Sequence, residues 1–68
     1  MNFEDALRKA INESEDGILA ISKRALVNFS DLFDFVNNNG KLSEPEMQRL
    51  YDALNEQDRE KMAISQLG

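Results

Sequence analysis

Apolar residues recur along this chain in short runs at helical spacing, each run closed by polar residues that stop or start helices. Phe3, Ala6, Leu7, Ala10 and Ile11 form the first stripe, falling at i, i+3, i+4, i+7 and i+8 on one face of a helix. Asn2 precedes it as an N-cap, with Asp5 at the box position three residues on. The polar run from Asn12 to Gly17 ends that helix. Within it, Glu13, Glu15 and Asp16 favour the positive end of the helix that follows.

That second helix is expected over about residues 16–28. Ile18, Leu19, Ile21, Ala25, Leu26 and Phe29 cover most of its circumference, which predicts a central position. Lys23 and Arg24 define its solvent side. At about 100° per residue, Ala20 and Val27 project to that same side. Ser30 is read as the cap of a short third helix, about residues 31–38, carrying Leu32, Phe33, Phe35 and Val36. A fourth helix, about 44–54, is cleanly amphipathic through Met47, Leu50, Tyr51 and Leu54. Asn55 with Asp58 starts a fifth, through about Leu67. This last one is poorly patterned, because Met62 and Ile64 point about 160° apart on a helix.

The sharpest local signal lies between the third and fourth helices. Asn37, Asn38 and Asn39 are poor helix formers, and Gly40 reaches positive φ without steric cost, so the third helix should stop there. Ser43 suits an N-cap and Glu46 completes a capping box. Leu42 and Met47 have the spacing of a hydrophobic staple, and Pro45 sits in the first turn, where its missing N–H costs nothing.

The same residues resemble an EF-hand. With Gly40 as the sixth loop residue, Asn37 and Asn39 take the third and fifth positions, Ser43 the ninth and Glu46 the twelfth. The resemblance implies oxygen ligands alternating along a calcium loop. Phe35 stands where the first aspartate belongs, leaving one carboxylate and two amides for the ion and implying weak or lost calcium binding. A fainter echo at Asn12 to Gly17 has Lys23 where the closing glutamate would be. The stretch from Leu32 to Val36 through Glu44 also resembles the first part of a helix-turn-helix. Its groove-entering helix would carry Glu44, Glu46 and Asp52 against a lone Arg49, which phosphate repels.

Composition narrows the function classes. A chain of 68 residues has room for one small domain, residues 1–68, and buries only about 60% of its unfolded surface. With no cysteine or histidine, it lacks disulfides, thiolate metal sites, the usual general base and the commonest zinc ligand. Five short helices leave little interior for a catalytic pocket, so neither enzymatic activity nor a cofactor is expected. The longest apolar run, Ile18 to Ile21, is far short of a membrane span. Glu4 and Asp5 do not suit a secretion signal, so the expected compartment is the cytosol. A net charge of −5, from 13 acids and 8 bases, argues against nucleic acid as partner.

The expectation is therefore an all-α bundle of about five short helices. It would act as a non-catalytic adaptor, inhibitor or regulator that occupies a protein surface, in the style of small bacterial or phage-encoded regulators. The partner is another protein, with a second copy of the chain as the alternative. Two surfaces combine apolar residues with charge: Ala20, Lys23, Arg24 and Val27 on the second helix, and Arg59, Met62 and Ile64 on the last. The aromatic segment, with Phe33 and Phe35, is the third candidate.

Overall fold

Each helix start in this protein is marked by a side chain or a glycine that accommodates the turn into it. A computed structural model describes residues 2–67. It contains α1 (Phe3–Glu13), α2 (Ile18–Ala25), α3 (Phe29–Asn37), α4 (Glu44–Ala53) and α5 (Glu56–Leu67). No strand occurs among the described residues. Asn2 Oδ1 accepts the Asp5 N–H at 2.8 Å, and Asn55 Oδ1 accepts the Asp58 N–H at 2.8 Å. Ser43 and Glu46 form the full reciprocal box: Ser43 Oγ accepts the Glu46 N–H at 3.3 Å, and Glu46 Oε1 accepts the Ser43 N–H at 3.1 Å. Such a cap contributes about 1 kcal/mol.

The third helix begins earlier than expected. Its cap is Asn28, not Ser30, with Asn28 Oδ1 accepting the Asp31 N–H at 3.2 Å. Asn28 and Asp31 have the same three-residue spacing as the other caps. An early α3 forces an early end to α2, and this changes which residues face out.

Helix α2 stops at Ala25 because Leu26 adopts the left-handed conformation, φ 58° and ψ 41°. The Val27 N–H then donates back to Ser22 O at 3.1 Å and the Leu26 N–H to Lys23 O at 3.4 Å. This is a Schellman closure, normally built on glycine. It reverses the chain so that Val27 turns into the core, 5% exposed, while Leu26 turns out, 81% exposed. Projection along an uninterrupted helix had put them the other way round.

The turn before α4 also differs in detail. Gly40 is not at positive φ; that role falls to Asn39, at φ 53°. Gly40 is needed for close approach instead. A Cβ there would lie 3.1 Å from both Cβ and the carbonyl carbon of Asp34. Asp34 O accepts N–H groups from Asn38 at 2.8 Å and Gly40 at 2.9 Å, which draws the chain against the end of α3.

The helices pack in pairs, α1 on α5, α2 on α4, and α3 across α2 and α1. Leu7, Ile11, Ile21, Leu32, Phe35, Leu50 and Met62 are the largest side chains fully enclosed between them. Each contributes on the order of 2 kcal/mol by leaving water. The radius of gyration, 10.6 Å, matches the value of about 11 Å for a well-packed chain of this length.

Arginines close the helix C-termini from other parts of the chain. Arg49 Nε donates to Ala25 O at 3.1 Å, at the end of α2. Arg59 donates to Leu54 O at 3.0 Å and Asp52 O at 3.2 Å, at the end of α4, with its guanidinium over the Tyr51 ring. Arg8 donates to Phe35 O, near the end of α3, and to Gly40 O at 3.3 Å. A guanidinium suits these sites because it brings several donors and a positive charge to the negative end of the helix dipole.

Candidate functional site

The surface residues expected to meet a partner divide sharply. Phe35, Val27 and Met62 are core side chains and present nothing to solvent. Phe35 lies on the inner side of α3 with Leu32. Val27 is turned in by the Schellman closure. Met62 is the side of α5 that docks, 1% exposed, and Ile64 is therefore left outside at 71%. One helix cannot bury residues about 160° apart against a single neighbouring layer.

Of the second-helix surface, Ala20 is half-buried while Lys23 and Arg24 are exposed. Arg24 is also tied down: it pairs with Asp16 at 2.8 Å, and Asn55 donates to the same oxygen at 3.2 Å. The Arg24 hydrogen bond, helped by Asn55, holds the Asp16 carboxyl below its ordinary pKa. This cluster joins the start of α2 to the start of α5. Arg59, though exposed, has its guanidinium engaged at the end of α4. Lys23 and Ile64 are thus the members of the two expected charged patches whose ends face water without such a role.

The large apolar side chains that face out fall in two groups: Leu19, Leu26, Phe29 and Phe33 on α2, α3 and the turn between them, and Ile64 and Leu67 on α5, the last 89% exposed. Phe29 and Phe33 are 44% and 45% exposed, with ring centroids 6.0 Å apart and tilted by 42°. Leu26 immediately precedes them at the turn, and Leu19 is exposed on α2. Phe29 and Phe33 are one turn apart on α3, so both lie along one margin of its outer side. Leu26 and Leu19 escaped the sequence reading because both sit on the apolar side of an idealised longer helix. The spacing of Asn28 and Asp31 was the available signal, since it requires α2 to end before residue 28.

In the loop that resembles an EF-hand, Glu46 Oε1 is committed to the Ser43 N–H and hydroxyl, at 3.1 and 3.0 Å. The closing carboxylate thus serves the helix cap. Arg49, the single base on the face of α4 that the helix-turn-helix resemblance would put against DNA, serves the end of α2. A shallow cleft of about 290 Å³ opens between α1 and the end of α3, lined by Asp5, Arg8, Lys9, Asn12, Val36 and Asn39. Its guanidinium is already occupied by Phe35 O, Gly40 O, Asp5 and Glu4. No group of three or more His, Cys, Asp or Glu side chains is placed to hold a metal among the described residues. No helix among them is long and apolar enough to cross a membrane.

Comparison of the chain with protein-family models, with curated proteins and with solved structures finds no match.

Proposed function

We propose that this protein is a non-catalytic interaction module that acts by occupying a partner protein's surface, with Leu26, Phe29 and Phe33 as the contact. Leu26 carries the reading. A leucine in the left-handed conformation costs about 1–2 kcal/mol relative to glycine. Its side chain, 81% exposed, also forgoes the roughly 2 kcal/mol that burial would return. A domain this small, with a total stability on the order of 5 kcal/mol, gives up a large share of it there. Strained backbone bearing an exposed apolar side chain is characteristic of recognition sites. Phe29 and Phe33, which follow it on α3 with ring centroids 6.0 Å apart, add rigid rings that lose little entropy on binding.

The experiment compares the wild-type chain with Leu26→Gly as immobilised bait in extracts of the source organism. A protein captured by the wild type and reduced about tenfold or more by Leu26→Gly supports the reading. The variant keeps the native turn, so loss of capture is not loss of fold. Equal capture by both overturns this site.

A further inference from the structure

We infer that the open side of α3 receives a basic, apolar segment of the partner protein, with apolar side chains along one margin and arginine or lysine along the other. This rests on the interaction reading above and specifies the partner's chemistry.

Helix α3 packs against α2 and α1, and its remaining side faces water. At about 100° per residue, that side runs from Phe29 and Phe33, through Ser30 and Asn37, to Asp34 and Asp31. All of these residues are exposed. Asp31 and Asp34 belong to none of the ion pairs formed among the described residues; Asp34 Oδ1 accepts the Asn38 amide at 3.0 Å, and α3 itself carries no base. Aromatic rings on one margin of this open side and carboxylates on the other match a segment that brings apolar side chains to the first and cations to the second.

Charge and area both disfavour a second copy of the chain as the occupant. Each copy carries a net charge of −5, and pairing α3 with its twin brings Asp31 and Asp34 near their own counterparts. A stable dimer buries about 800 Å² per partner. From a total surface of 4264 Å², that is about a fifth of the molecule, far more than these few side chains supply. A short segment bound transiently buries less than that, and opposite charge speeds its encounter and sets its orientation.

The test titrates the full chain, labelled with ¹⁵N, with a synthetic amphipathic peptide of leucine and arginine, and with its leucine–glutamate counterpart. Saturable amide shifts should centre on residues 29–37, with the arginine peptide binding about tenfold tighter or better. Asp34→Lys should weaken that binding about tenfold while melting as the wild type does, since lysine suits a helix C-terminal half. Shifts centred instead on Glu44, Asp52 or Glu56, equal affinity for the two peptides, or normal binding by Asp34→Lys would each overturn the inference. Self-association through residues 29–37 without peptide would give the face to a second copy. If a captured cellular partner is lost with Phe33→Ser but unaffected by Asp34→Lys, the interaction reading stands and the basic partner falls.

Discussion

The guanidinium of Arg8 lies 4.4 Å from the centroid of the Phe35 ring, and its Nε donates to the carbonyl of that same residue. One side chain on α1 thus covers a core aromatic and closes the end of the helix that carries it. Its remaining donors reach Gly40 O, Asp5 and Glu4, so the α3–α4 turn is held against α1 as well.

Arg8→Met should therefore destabilise the fold by about 2–3 kcal/mol. It leaves a part-buried carbonyl without its donor and removes a cation–π contact, though the methionine keeps the aliphatic packing. Chemical denaturation checks this through the midpoint. A variant that unfolds at the wild-type midpoint would show that Arg8 is a surface decoration.

Leu26→Gly should act in the opposite direction. Relief of the left-handed strain outweighs the extra backbone freedom glycine brings to the unfolded chain, leaving a net gain of about 1 kcal/mol. For a domain of this size that raises Tm by roughly 4–8 °C. A lower Tm would mean that Leu26 supports the fold after all, and the case for its role in binding would lose its foundation.

Asp58 is almost fully buried, and its Oδ2 has no hydrogen-bond partner among the described residues. It sits in the first turn of α5, where a carboxylate gains about 0.5 kcal/mol from the helix dipole. An unsatisfied buried carboxylate oxygen costs more, about 1–3 kcal/mol. Asp58→Ala should consequently be close to neutral, because relief of the unpartnered oxygen offsets the lost dipole interaction and the small void. Destabilisation by more than about 2 kcal/mol for Asp58→Ala in a thermal melt would contradict the unpaired oxygen.

Acid should weaken the fold through two named pairs. The hydrogen bond from Lys41, then that from Arg8, lowers the Glu4 pKa, and Arg24, then Asn55, lowers that of Asp16. Lowered folded-state values mean that the unfolded chain takes up protons first. These contributions are therefore complete above the ordinary carboxylate range and are lost as pH falls through and below about 4. Measured between pH 7 and 3, Arg24→Met and Lys41→Met should each flatten that decline slightly, as exposed pairs do. An unchanged slope in both would remove these pairs as its cause.

The arrangement of helices was legible because most of its signals are local. Asn2 with Asp5, Ser43 with Glu46, and Asn55 with Asp58 are bonds across three residues, formed wherever the chain turns into a helix. The stripe of α1 needs only an apolar layer to lie against. The candidate surface was legible only in part: Phe33 was anticipated at the surface, but beside Phe35, which proved to be core.

Helix count, the starts of α1, α4 and α5, and the apolar faces of α1 and α4 were therefore determined by the sequence itself, through spacing and side-chain caps that act within one turn. Tertiary structure decided the rest. Whether Met62 or Ile64 is buried depends on how α5 settles on α1, since the helix offers apolar residues on two sides. Leu26 carries no glycine or asparagine signature, and its left-handed turn follows from the Asn28 cap and the packing of α3 across α2. Arg8, Arg49 and Arg59 find carbonyls on other segments only after the helices have met. Local hydrogen bonds can be read from neighbours in sequence; contacts between distant residues exist only once the core has brought them together.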